Sequence, residues 1–389
     1  MTLHRLLLSL ALVLPSLSAP AGALLPAASG AVVAPSRYIV QLQAEASGKP
    51  AATAAANGLL ASYGGSLIRA YGTALMGFAA TMTEAQAQTL AADPAVKVVS
   101  PDTVLHFAGT QFSPPWGLDR IDQRNLPLSQ TYLYADGGST PHVYVLDSGL
   151  AADHPDFIGR VGTGYNAVPD LGLVLGATID CNGHGTHVAG IAVGTTYGVA
   201  KRAVIHPVRI SSCASTTLAS FAIDGIDWVA ANAQRPAVAN YSLSSGVDVL
   251  LEQALRNLIA RGVTVVVAAG NDGANACSYS PGRMAEAITV AASEINDASA
   301  SYTNSGSCVD LYAPGTDIVS ASNLLDLTAT MSGTSMASPH VAGAAALFLA
   351  GNPGASPAQV AAALTSRSST NRLFAVPGGT PNRLLYTGR

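Results

Sequence analysis

From Trp116 onward, short apolar runs alternate with longer helical stretches, and few folds accept that pattern. HVYVLD (142–147), AVIHPVRI (203–210), AVANYSL (237–243), VTVVVAAG (263–270) and AITVAAS (287–293) read as buried strands. Between them, THVAGIAVG (186–194), TLASFAIDGIDWVAANA (217–233) and VLLEQALRNLIARG (249–262) read as helices. The strand runs are apolar throughout instead of alternating, as burial on both faces requires. The expectation is an α/β fold, a mostly parallel sheet with helices on both faces, whose sites lie at the C-terminal strand ends.

The N-terminal part follows a different rule. RYIVQL (37–42), MGFAATM (76–82) and VKVVSPD (96–102) have strand composition. A helical stretch spans about 50–63, and TEAQAQTLAADP (83–94) is a helix that Thr83 can cap. This order predicts a small α+β unit of ferredoxin-like type. LHFAGTQFSPP (105–115) is turn-rich and aperiodic, and reads as a hinge between domains. At the very start, MTLHR precedes LLLSLALVLPSLSA and the small residues Ala21-Gly22-Ala23, the pattern of a secretory signal peptide over 1–23. Residues 24–36 read as a linker. No other run approaches the ~18 apolar residues of a membrane span, so no membrane association is expected. With 11% charged residues, a net charge of −4 and only three lysines, nothing suggests nucleic acid as a partner.

MSGTSMASPHVAG (331–343) sets Ser335 at the mouth of an alanine-rich helix, behind Gly333 and Thr334. A serine there is either an N-cap or a nucleophile held where free N–H groups and the helix dipole favour an anion. Three other stretches decide between them. VLDSG ends a strand in Asp147, NGHGTHVAG places His184 between glycines before a helix, and AAGND ends a strand in Gly270-Asn271. Together they supply an acid, a base, an amide donor and a nucleophile. Serine acyl transfer needs that set: a histidine to take the hydroxyl proton, a carboxylate to fix its tautomer, and donors for the oxyanion. The order Asp, His, Ser is one of the three known chain orders of such a triad.

With WGLDRIDQRNLPL (116–128) and APGTDI (313–318), these motifs resemble the subtilases, in particular their proteinase K-like branch with its aqualysin-type bacterial proteases. Residues 37–106 resemble the inhibitor-type prodomain of the same enzymes. The resemblance implies a secreted, autoprocessed serine endopeptidase of broad specificity working through an acyl-enzyme. Its signal peptide would cover 1–23, its propeptide 24–108 and its peptidase domain 109–389, with the cut near Ala108–Gly109. It implies Asp147 as orienting acid, His184 as general base, Ser335 as nucleophile, and Asn271 with the Ser335 N–H as oxyanion donors. His187 and His340 read as packing residues.

The substrate walls would be Ser215-Thr216-Thr217 and Ser242-Leu243-Ser244, with Ala268, Ala269 and Gly270 opposite. Relatives carry glycines in both walls, so side-chain specificity is expected to depart from theirs. Cys181, Cys213, Cys277 and Cys308 allow three pairings on paper. The family's spacing implies Cys181–Cys213 and Cys277–Cys308. It also implies structural calcium on Asp310 with the carbonyls of Ala285 and Ala287, and a second site on Asp119, Asp122 and Gln123, where Ser129 and Thr131 replace stronger ligands. Expected partners are protein and peptide substrates and the chain's own prodomain, acting on a monomer. Two rival readings lack their signatures: a metal hydrolase on His184, His187 and Asp147 has no H-E-x-x-H, and an α/β-hydrolase esterase has no G-x-S-x-G. A catalytically dead binding protein would usually have lost one of the four residues.

Overall fold

A computed structural model describes residues 22–26, 33–43, 48–103, 109–134, 139–169, 178–213, 216–324 and 327–388. The expected signal peptide before residue 22, Leu105 and Ala108 at the expected cut, and Ser215 lie outside the described residues. The chain divides into two compact units, the first ending at position 106 and the second beginning at 107.

The first unit runs β1 (Val33–Leu42), α1 (Lys49–Tyr63), β2 (Ser66–Tyr71), β3 (Gly77–Thr81), α2 (Glu84–Ala91) and β4 (Val96–Thr103). The sheet order is β4-β1-β3-β2, with Ala23–Leu24 added in parallel outside β4. This is the split βαβ arrangement expected from the sequence. Thr83 and Gln86 form a reciprocal capping box at the start of α2. Val40, Phe78, Leu90, Val96 and Val99 are fully buried between sheet and helices.

In the second unit, β5 (Thr110–Phe112) pairs with β6 (Thr131–Leu133) on either side of α3 (Trp116–Ile121). The expected hinge therefore contains a strand, too short at three residues to show a period in the sequence. Then come β7 (His142–Asp147), α4 (His184–Val193), β8 (Val204–Arg209), α5 (Ala219–Asn232), β9 (Ala237–Tyr241), α6 (Val249–Ala260), β10 (Thr264–Ala268), β11 (Ile288–Ser293) and β12 (Leu311–Pro314). A hairpin, β13 (Ile318–Ala321) and β14 (Thr328–Met331), leads into α7 (Thr334–Gly351) and α8 (Pro357–Arg367).

The main sheet has the order β12-β11-β10-β9-β7-β8, all parallel, with two-residue strands at its edges. Side chains alternate between two cores. Val143 and Val145 face the α4/α7 side, whereas Tyr144 and Leu146 face the α5/α6 side. Val266 likewise faces one side, and Val265 and Val267 the other. Both faces are covered, which is why the strand runs lack a polar face. The chain order reverses at β7, between β8 and β9, and this is the switch point where open α/β sheets place their sites.

Candidate active site

Asp147 is the last residue of β7, and its side chain is buried. Its Oδ1 accepts from His184 Nδ1 at 2.7 Å and from the Ser148 N–H at 2.8 Å. A carboxylate can only accept, so the imidazole proton sits on Nδ1 and the lone pair on Nε2. Burial alone lowers the His184 pKa, but the Asp147 charge and hydrogen bond, with Asp180 behind them, more than offset it and hold the ring above its ordinary value.

His184 opens α4, whose N-cap Gly183 has a left-handed φ of 98° and offers no side-chain cap. Asp180 supplies what is missing. Its Oδ1 accepts from the N–H groups of Asn182 and Gly183 and from Ser148 Oγ, and its Oδ2 from the N–H and hydroxyl of Thr186, all between 2.7 and 3.0 Å. A disulfide joins the neighbouring Cys181 to Cys213, and a second joins Cys277 to Cys308.

Ser335 is the second residue of α7. The N-cap is Gly333, without a side-chain bond, and the Ser335 hydroxyl caps nothing. Instead Oγ donates to the Ser242 carbonyl at 2.9 Å, so its single proton is directed there and not at His184. Ser242 lies just beyond β9 and Asn271 shortly beyond β10, so β9, which adjoins β7, and β10, the next strand out, bring them to the same sheet end.

Asn271 Oδ1 accepts from the Thr334 N–H at 2.8 Å and the Thr334 hydroxyl at 2.9 Å. With the oxygen fastened twice, the two Nδ2 protons remain for another acceptor. A Cβ at Gly333 would lie 3.3 Å from that nitrogen, and glycine keeps the space open. The Thr334 N–H is taken by Asn271 and those of Met336 and Ala337 by the Gly333 carbonyl, which leaves the Ser335 N–H and the oriented Asn271 amide as the donors an anion could meet.

The two histidines beyond these motif positions, His187 and His340, are packing groups. His187 Nε2 lies 3.0 Å from the Ile318 carbonyl and 3.1 Å from that of Ala329, and His340 Nδ1 lies 2.9 Å from the Met336 carbonyl. Burial pushes both pKa values down to about 4.

Of the expected substrate walls, Ser242, Ala268, Ala269 and Gly270 are buried, while Ser244 and Thr216 are exposed. Ser244 Oγ would lie 3.4 Å from a Cβ at Gly270, so the hydroxyl faces that glycine across the gap between the β9 and β10 ends.

The two calcium sets differ. Asp310 is pushed up by burial, only its Oδ2 is engaged, by the Thr289 N–H at 2.8 Å, and a cation would relieve that desolvated carboxylate. The Ala285 and Ala287 carbonyls are the other ligands that the resemblance implies there. The second set already has partners within the chain. Both Asp119 oxygens face the N–H groups of Ser129 and Gln130, and Gln123 Oε1 also faces Ser129 N–H. Gln123 Nε2 covers the Asn125 and Pro127 carbonyls. Only Asp122 Oδ1 is left buried and unpartnered. Among the described residues, no group of three or more His, Cys, Asp or Glu could hold a metal.

Asp180, Thr334 and Asn304, which braces the Asn271 turn, escaped the sequence reading. Only Asp180, four positions before His184 in a helix-entry turn, carried a local signal.

Comparison with known proteins gives the same region a context. The pattern described as "Subtilase family" matches residues 138–383, and that described as "Peptidase inhibitor I9" matches 37–108. An extracellular serine proteinase of Thermus sp. (strain Rt41A) is 47% identical over 320 residues, covering 82% of this chain and 77% of that protein. Alkaline serine exoprotease A of Vibrio alginolyticus is 44% identical, covering 80% of this chain and 59% of its own length. The crystal structure of a cold-adapted subtilisin-like serine proteinase superposes with a TM-score of 0.68 at 46% identity, over 71% of this chain and 99% of that one.

Proposed function

The chain belongs to the subtilase family and is a subtilisin-like serine endopeptidase preceded by an inhibitor-type segment, and from that premise we propose that Asp147, His184 and Ser335 are its catalytic triad. The observation that carries this is the Asp147–His184 bond, which leaves Nε2 basic, together with a serine hydroxyl that caps nothing and is held at the end of β9, the strand next to β7.

Substrate enters as an extended strand between 215–217 and 242–245, held mainly through its backbone, so cleavage is broad. Ser335 Oγ swings from the Ser242 carbonyl to His184 Nε2 and passes its proton there as the O–C bond forms. Asp147 stabilises the resulting imidazolium. The oxyanion meets the Asn271 Nδ2–H and the Ser335 N–H, and loss of one such donor costs roughly 10²–10³ in kcat. His184 returns the proton to the departing amine, and water repeats the sequence on the acyl-enzyme.

The reading extends to maturation. Residues 1–23 direct secretion, 24–108 form the propeptide, and the chain cuts itself near Ala108–Gly109. Calcium at Asp310 with the Ala285 and Ala287 carbonyls would screen the buried carboxylate and hold the β11–β12 end of the sheet.

Ser335→Ala tests the whole. It should fold, leave the precursor uncut and lower kcat by several orders of magnitude. A folded Ser335→Ala protein that cleaves peptides near the normal rate ends the reading.

A further inference from the structure

Asn271 sits on a turn, Ala269 to Ala274, that follows β10. A donor on a turn stabilises an oxyanion only when the turn is fixed, since donors act at 2.7–3.1 Å and weaken with small displacements. The turn's own hydrogen bonds do not close it. Backbone bonds from the Gly273 N–H to the Tyr302 carbonyl at 2.8 Å and from the Ser305 N–H to the Ala274 carbonyl at 2.9 Å hold its far end, and one side chain from elsewhere holds both ends.

Asn304, in the loop between β11 and β12, has no exposed surface. Its Nδ2 donates to the Ala269 carbonyl at 3.0 Å. Its Oδ1 accepts from the N–H groups of Asp272 at 3.0 Å and Ala274 at 2.9 Å. Its own backbone N–H donates to the Gly270 carbonyl at 2.9 Å. Four bonds from one residue thus bracket Asn271 on both sides. The fit needs an amide, because one end must donate and the other accept twice; aspartate, leucine or serine cannot do both at that length.

Gly270 makes the approach possible. Its φ is 104°, and a Cβ there would lie 2.3 Å from Asn304 Nδ2. From the opposite side, the Gly270 N–H donates to Thr334 Oγ1 at 3.1 Å, and that hydroxyl donates to Asn271 Oδ1. The turn is therefore clamped between Asn304 and the first residue of α7.

We propose that Asn304 is a positioning residue for the oxyanion donor: it acts on the reaction only through Asn271, by fixing the turn that presents it. The inference rests on Asn271 being that donor, and its test separates the two claims.

The test is a double-mutant cycle of Asn304→Ala and Asn271→Ala on a peptide anilide, with active sites counted by sulfonyl fluoride labelling. Asn271→Ala alone should lower kcat by ~10²–10³. Asn304→Ala alone should lower kcat on the order of tenfold, with KM within about twofold. In the Asn271→Ala background the same change should cost less than about threefold, because the donor it positions is gone. If Asn304→Ala does not fold, Asn304→Ser takes its place in the cycle. Equal losses in both backgrounds overturn the inference, as does a change confined to KM, which would mean that Asn304 only supports the Ala268–Gly270 wall. An undiminished kcat in Asn271→Ala would instead overturn the assignment of Asn271 as donor.

Discussion

Ser242 and Ser335 are bonded to each other twice, each hydroxyl to the other's carbonyl. Ser335 Oγ donates to Ser242 O at 2.9 Å, and Ser242 Oγ to Ser335 O at 3.1 Å. The second bond has a cause in the sequence. In a helix Ser335 O would accept from the N–H four residues on, but that residue is Pro339, which has none. Ser242 fills the vacancy and is itself held by Asn240 Nδ2 at 2.8 Å, while Ser338 Oγ donates to Asn240 Oδ1 at 2.5 Å. Asn240 and Ser338 have no exposed surface, and Ser242 is 3% exposed.

This network predicts that Ser242→Ala loosens the first turn of α7 and lowers kcat more than it raises KM. Leaving a buried carbonyl unpaired costs ~1–3 kcal/mol, which at the reacting serine corresponds to roughly tenfold in rate. The rate of sulfonyl fluoride labelling of Ser335 should fall in parallel. A variant altered only in KM would show that Ser242 serves substrate binding alone.

The pH profile follows from His184. Catalysis requires the neutral ring, and the Asp147 and Asp180 charges hold its pKa above the ordinary 6.5. kcat/KM, which reports the free enzyme, should therefore rise with pH through a midpoint above 6.5. Asp180→Asn removes one of the two charges and should move the midpoint down. An unmoved midpoint, with activity retained, would sink this account of the shift.

His187 and His340 work in the opposite direction, on stability. Both are held down to about 4 when folded, against about 6.5 unfolded. Between those values the unfolded chain binds more protons, so stability falls as pH falls through that window. Each pKa unit is worth ~1.4 kcal/mol at most. The melting temperature of the full Ser335→Ala chain, which cannot digest itself, should drop from pH 7 to 4. The drop should be smaller in His340→Asn, and equal drops in both chains would remove His340 from the explanation.

Which of these relationships could be read from the sequence depended on range. The β7, β9, β10 and β11 strands and the α4–α6 helices follow from local apolar runs and helical stretches, and their ends carry Asp147, His184 and Asn271. The capping box of α8 is also written locally, as Ser356 and Gln359, although that helix escaped the reading. The hairpin of β13 and β14 has strands of four residues, too short to show a period. Asn304 and Ser242 gain their roles from contacts 30 to 93 positions away, which no local pattern encodes. The partners of the Asp119 set are non-local too: its residue types suit a cation, and in the structure each Asp119 oxygen accepts from a backbone N–H, of Ser129 or of Gln130.

Cys181–Cys213 and Cys277–Cys308 close loops of 32 and 31 positions. By the chain-entropy account each contributes roughly 3–4 kcal/mol. Replacing Cys181 and Cys213 by serine should lower the melting temperature and should also reduce kcat, because that bond braces the turn carrying Asp180 and His184. Replacing Cys277 and Cys308 should affect stability with a smaller effect on kcat. The two melting curves and two kcat values check this, and equal kcat losses would remove the distinction.

Side-chain preference turns on Ser244. The resemblance implies a glycine at this position in relatives, which would leave room for a large residue just before the cut. In this chain the Ser244 hydroxyl faces Gly270 across the gap, at 3.4 Å from where a Cβ would stand. Ala268, Ala269 and Gly270 close the other side and are all buried. A hydroxyl in that position makes the pocket shallower and more polar, so it should favour Ala, Met or Leu over Phe and Tyr at that substrate position. The proposed self-cleavage sequence agrees, with Ala108 just before the cut and Leu105 three residues earlier. Because a methylene is worth only ~1–3 kcal/mol in such a pocket, the preference should be modest. The measurement is kcat/KM across peptides that differ only at that residue, with Ser244→Gly beside the parent. Ser244→Gly should raise kcat/KM for Phe relative to Ala. A parent enzyme that strongly prefers Phe, and does so equally after Ser244→Gly, would show that Ser244 leaves the pocket unshaped.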